Sequence, residues 1–187
     1  MEYRQMSNLK ELTWEHHKNA ERQEFVKVLM SGNIDPKVYA TYLWNQFPQY
    51  EILEVMAMSH GLFDGIPDIL RSKAIMEDFR ELWPQDQKPP QHTMATKKYL
   101  THMRTIMNDP DKLMAHIYVR HMGDLSGGQM IKKKVPGSGK FYQFDGDVKE
   151  IKEKIRERTN DSMADEAKIC FDYATELFKD MMQYVPK

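Results

Sequence analysis

Apolar residues in this chain recur at threes and fours and nowhere alternate for long. Tyr39, Leu43, Phe47, Tyr50, Leu53 and Ala57 follow that spacing, which lines one face of an α-helix. No stretch keeps a period of two long enough to make a strand. The fold class that follows is all-α: one compact multi-helix domain over residues 1–187, a length that suits a single core.

Turn signals divide the chain. Ser7 or Asn8 caps a first helix with Leu9, Leu12 and Ala20 facing inward. A helix through Glu24–Met30 stops at Ser31-Gly32. Asp35-Pro36 opens the long helix, and Pro48 inside it predicts a kink. Residues 67–83 read as a helix, 84–91 as a loop, and 92–107 and 111–134 as helices separated by Asn108-Asp109-Pro110. A glycine-rich connector over 135–147 leads to helices at 148–160 and 164–185, the last capped by Ser162 with Asp165 three residues on.

The formal net charge of −1 leaves no footprint for nucleic acid or an anionic membrane surface. No apolar run approaches the ~20 residues of a membrane helix, and the polar N-terminus reads as no signal peptide. With Cys170 the only cysteine, no internal disulfide forms. A soluble, cytoplasmic protein is the expectation. Fifteen methionines suit core filling or a pocket for a flat apolar ligand.

Within "RHMGDLSGGQ", residues 120–129, stand Gly123, Gly127 and Gly128. Each glycine inside a helix costs about 1 kcal/mol relative to alanine, so something there needs bare backbone. Gly123 and Gly127 share a helix face, for close helix packing or for a ligand lying on the backbone. Asp124 between them offers a carboxylate that orders water over a reacting atom.

Two phosphate-binding readings fail. "LSGGQ" matches the ABC-type ATPase signature but has no P-loop upstream. "GSGKF" has Lys134 where the first P-loop glycine belongs and Phe141 where a magnesium-binding hydroxyl belongs. Among seven histidines, His17 has Glu21 one turn later. That pair suits either an exposed ion pair or a metal-bound imidazole with its outer partner.

"LMAHIYVRHMGDLSGGQMIKK" resembles the signature helix of haem oxygenases. "LKELTWEHHKNAERQEFV" is similar to that family's proximal segment, "LRSKAIMEDFRELW" to its central R-x-K-A-x-x-x-D helix, "IKEKIRERTN" to its late basic helix and "EAKICFDYATELF" to its closing helix, all in the family's order. The resemblance implies a haem sandwiched between a proximal and a kinked distal helix. It implies His17 as the axial iron ligand, with Glu21 orienting it. Gly123 and Gly127 would let the distal backbone approach the haem, and Asp124 would order proton-delivering water. Lys10, Lys152 and Arg156 fall on propionate-contacting positions, Tyr118 on a polar pocket position and Phe171 on a pocket wall.

The implied activity is oxygen-dependent cleavage of haem to biliverdin (IX-alpha by family default), carbon monoxide and ferrous iron. Haem would be substrate and cofactor, with dioxygen and an external electron donor, ferredoxin or a flavoprotein reductase; a bilin reductase would act downstream. Neither nucleic acid nor a membrane is an expected partner. Trp14 departs from the basic residue many members carry, and Ala174 from a polar one. A haem-delivery protein without turnover is the alternative, though it has no use for Asp124. A TenA-like hydrolase with Cys170 as nucleophile lacks any legible activating group beside that residue.

Overall fold

The computed structural model describes residues 7–187. Among them there is no strand. The elements are α1 (Leu9–Leu12), α2 (Trp14–Glu21), α3 (Glu24–Met30), α4 (Pro36–Ser59), α5 (Ser72–Leu82), α6 (Met94–Thr105), α7 (Pro110–Leu125), α8 (Gly128–Lys132), α9 (Val148–Glu157) and α10 (Ala164–Met181), with short 3₁₀ turns between some of them. No helix among them is long and apolar enough to cross a membrane.

Helices α6 and α7 each pack on both α4 and α10; α4 also packs on α5, and α10 carries α2 and α3. One core cluster surrounds α7, with Leu53, Tyr99, Met103, Leu113, Ile117, Ile155 and Ala167 buried together. A second lies at the other end of α4 and gathers Phe25, Leu29, Tyr39, Leu43, Ile75, Phe79, Phe141 and Met181.

The first helix is split. Thr13 Oγ1 donates to Leu9 O at 2.8 Å, a back-bond that bends helices, and α2 begins afresh at Trp14. Leu9 and Ala20 are buried as expected, but Leu12 is 45% exposed. Asn8 precedes α1 without a side-chain cap bond; Ser7 Oγ instead accepts from Leu9 N at 3.2 Å.

Helix α4 starts as expected, with Asp35 accepting from Lys37 N and Val38 N. It stays helical through Pro48. Proline has no N–H for the Trp44 carbonyl, and His92 Nε2 reaches that carbonyl instead, at 3.2 Å.

Other boundaries shift for local reasons. Residues 67–69 form a 3₁₀ turn and α5 starts only at Ser72, because Glu54 from α4 accepts from Arg71 N at 2.6 Å and Ser72 N at 2.9 Å. Helix α9 ends at Glu157, and Ser162 is not a cap: its N–H donates to Asn160 Oδ1 at 3.0 Å ahead of α10.

The 111–134 segment is not one helix. It breaks at Ser126-Gly127, between α7 and α8. The break is held from outside. Gln129 Nε2 donates to Asp124 O (3.1 Å) and to Tyr142 O (2.9 Å). Tyr142 lies in the 135–147 connector, which is stapled to α5 by two buried residues. Asp78 accepts from Lys140 N and Phe141 N, and the Arg71 guanidinium donates to the carbonyls of Lys140, Phe141 and Gln143.

Candidate functional site

Two helices that carry expected site residues share one neighbour without extensive mutual contact. Helix α2 and helix α7 each pack on α10, which acts as their common wall. From α2, the His17 side chain is 34% exposed. Its ring stacks on Phe171 of α10, centroids 5.2 Å apart and planes 15° apart. The edge of Trp14 meets the same ring at 5.4 Å. His17 Nε2 donates to Glu21 Oε1 at 2.7 Å, so the i, i+4 pair exists and engages the outermost ring nitrogen.

From α7, the glycines divide by role. A Cβ on Gly123 would meet nothing within 4 Å, and one on Gly127 only the Gly123 carbonyl oxygen at 3.9 Å. Both residues are exposed. Gly128 is buried, and its Cβ would meet Tyr142 Cδ1 at 2.6 Å. So Gly128 serves packing of the helix break on the connector, whereas Gly123 and Gly127 keep bare backbone against open space. Gly128→Ala therefore destabilises by about 1–3 kcal/mol, the usual overpacking penalty. Gly123→Ala stabilises the ligand-free protein by up to about 1 kcal/mol through helix propensity. Thermal denaturation of the two variants should move their melting points in opposite directions.

Asp124 is only 7% exposed. Its Oδ2 accepts from the Tyr50 hydroxyl at 2.7 Å. Burial pushes its carboxyl up to about 8, against the pull of that hydroxyl and of Arg71 and Arg120. Asp124 is thus mostly a neutral acid at pH 7, with a proton to give. Arg120 sits over the Tyr50 ring, 5.2 Å from its centroid, and donates to Tyr99 Oη, Gln46 Oε1 and Gln49 Oε1. Behind them His121, fully buried, donates through Nε2 to Glu54 at 2.9 Å. Its Nδ1 has no partner among the described residues.

The rim residues fall into two groups. Tyr118 lies at the meeting of three elements: burial raises its hydroxyl, while Arg156 of α9 and a hydrogen bond with Thr13 lower it. Lys152 is one turn before Arg156 on α9. On α1, the Lys10 ammonium is 6.0 Å from the Trp14 ring centroid, and Lys18 approaches the same ring at 5.8 Å. Lys10, Lys152 and Arg156 make no ion pair among the described residues.

Sequence reasoning missed Tyr50, Arg120, Gln46, Gln49 and Glu54 as partners of this site. One signal was available: Gln46 and Gln49 interrupt the apolar face of α4 around Tyr50. Cys170 was read as lacking an activating neighbour. It is buried, and although burial pushes its thiol up, the adjacent His116 imidazole brings it below its ordinary range. Full burial still denies it a substrate.

Comparison with known proteins gives this arrangement a family. The haem oxygenase family model matches residues 4–184. The macaque haem oxygenase 2 is 31% identical, over 94% of this chain and 64% of its own length; the chain thus spans just under two thirds of that relative. The Guillardia theta haem oxygenase is 30% identical, over 95% of this chain and 86% of its own. Among solved structures, the Synechocystis haem oxygenase-1 in complex with heme superposes with a TM-score of 0.82 at 25% identity, covering 94% of this chain and 91% of that one. The Leptospira interrogans haem oxygenase gives 0.78 at 31% identity, covering 91% and 96%. The glycine-bearing break, the imidazole on α2 and the buried acid between the two glycines therefore stand in a chain that belongs to the haem oxygenase family.

Proposed function

We propose that this chain, as one haem oxygenase-like domain over 1–187, binds haem and degrades it with dioxygen and electrons from a partner protein, yielding biliverdin, carbon monoxide and ferrous iron. The observation that carries the reading is the bare backbone of Gly123 and Gly127 against open space, with the acid Asp124 between them. A flat macrocycle needs such a surface, and side chains ordinarily cover the backbone of a helix.

The residues present fit haem. His17 is the group that would hold the iron. Its Nε2 becomes available when the exposed Glu21 carboxylate swings aside, and Phe171 keeps the ring oriented from below. Lys10, Lys152 and Arg156 suit the two propionates. As exposed cations they contribute only about 0–1 kcal/mol each, so they orient more than they hold. Tyr118 supplies a hydroxyl at the same rim. When bound, haem supplies the oxygen chemistry that opens its own ring. The chain's part is to exclude side chains over it, through Gly123 and Gly127, and to keep a transferable proton on Asp124, with Tyr50 fixing that carboxyl and Arg120 packed over the Tyr50 ring. The donor is a ferredoxin or a flavoprotein reductase, and a bilin reductase would take the product.

The test is a turnover spectrum. The protein is mixed with one equivalent of haem, a reducing system and oxygen. Loss of the Soret band with growth of biliverdin absorption supports the reading; a stable Soret band under several donors turns it into haem carriage. His17→Ala should remove the native axial ligation and shift the spectra of the haem complex. An unchanged spectrum would refute His17 as the ligand.

A further inference from the structure

Away from the proposed haem site, three helices bring two imidazoles and a carboxylate to one point. His102 of α6 and His116 of α7 both direct Nε2 at the same atom, Glu166 Oε1 of α10, at 2.6 and 2.8 Å. The three donor atoms all lie within 4.8 Å of one another. The mechanism proposed above uses none of the three. We propose that His102, His116 and Glu166 form a binding site for a first-row divalent cation of the zinc type.

The donor set points to that class. Two imidazoles, each releasing its Nε2 proton to solvent as the ion binds, and one carboxylate suit Zn²⁺ or Co²⁺; calcium and magnesium prefer oxygen alone. Bonds of about 2.0–2.2 Å in tetrahedral geometry set neighbouring donors about 3.3 Å apart. The present contacts, 2.6 and 2.8 Å from the two imidazoles to Glu166 with all three donors within 4.8 Å of one another, bracket that spacing. Burial is graded: the His116 side chain is fully buried, Glu166 is 7% exposed and His102 19%. The site is therefore walled on the His116 side and nearest to solvent on the His102 side, from which a water would complete the coordination.

The outer partners fit as well. His116 Nδ1 is 2.8 Å from the Tyr99 hydroxyl, which also accepts from Arg120 Nε at 3.1 Å. A metal at Nε2 leaves the remaining imidazole proton on Nδ1, donating to Tyr99 Oη. That oxygen has two lone pairs, one for His116 and one for Arg120. An outer hydrogen bond of this kind fixes the tautomer and orientation of a metal-bound histidine.

The test titrates chelator-treated full-length protein with Zn²⁺ against a chromophoric competitor. It compares wild type with His102→Ala, Glu166→Gln and His17→Ala. One equivalent should bind to wild type and to His17→Ala, and affinity should fall by about a hundredfold or more in the other two, since even outer-partner losses cost 10–100-fold. Binding unchanged in His102→Ala would overturn the site, as would no stoichiometric binding in wild type. If the variants fail to fold, Co²⁺ added to wild type decides. Paramagnetic broadening of the His102 and His116 ring signals supports the site, and broadening confined to His16 and His17 overturns it. None of these readouts depends on haem.

Discussion

Asp124→Ala should keep haem bound and lower biliverdin formation by about 10²–10⁴-fold, the range typical of losing a positioned proton donor. The side chain is separable from the architecture around it. The helix break at Ser126-Gly127 is held through the Asp124 carbonyl and Gln129, not through the carboxyl. Alanine does orphan the Tyr50 hydroxyl, at about 1–3 kcal/mol. Asp124→Asn, which keeps an acceptor for Tyr50 but no acidic proton, should therefore lose turnover as well while unfolding at a higher temperature than Asp124→Ala. The pH dependence has a definite sign. Burial raises this carboxyl to about 8 in the fold, above its unfolded value near 4. The acid is available below about pH 8, and turnover should decline above it while haem stays bound. The same shift means that the folded state holds a proton the unfolded chain has lost. Stability from this group is present below about pH 4 and declines as pH rises through about 8. Asp124→Asn should flatten that decline in a series of thermal melts. Normal biliverdin yield in either variant would refute the proton-delivery role.

Much of this was legible one helix at a time. The apolar spacing of α4, the Asp35-Pro36 start and the Asn108-Asp109-Pro110 separation ahead of α7 are local signals, carried by residues within four positions of each other. Glycine's cost inside a helix is also local and singled out the segment around Gly123, while its assignment as the distal element came from the resemblance of the motif. Less legible was anything that depends on a partner far along the chain. Gly128 looked like its neighbour Gly127, and only Tyr142, fourteen residues later, separates a packing glycine from a bare one. The start of α5 lay at Ser72, not residue 67, because Glu54 supplies its cap from another helix. The expected Ser162 cap failed because Asn160 had already taken its N–H. Asp124 was legible as an acid, but its pairing with Tyr50 spans seventy-four positions and no spacing rule reaches that far.

Arg71→Met should be the most destabilising single change outside the site, at about 3–5 kcal/mol, because it strips a buried array of carbonyls of the guanidinium that serves them all. Arg71 is 6% exposed. Its guanidinium donates to the carbonyls of Asp68, Ile69, Leu70, Lys140, Phe141 and Gln143, and it lies 3.9 Å from the Phe144 ring centroid. Methionine fills part of the volume and donates nothing. Lysine retains the charge, but a single ammonium with three donors cannot span both sides of that array, so Arg71→Lys should recover only part of the loss. The effect should reach the distal helix. The connector that Arg71 holds carries Tyr142, which packs on Gly128 and accepts from Gln129 at the α7–α8 break. Hydrogen exchange in Arg71→Met should therefore accelerate over residues 123–132 and over the connector, more than in α6 or the middle of α10. For a domain of this size the melting point should fall by roughly 6–20 °C. A drop under about 1 kcal/mol by denaturant titration, with protection at the break unchanged, would show that the connector holds the distal backbone without Arg71. The open face of Gly123 and Gly127 would then have to be kept by α7 and Gln129 alone.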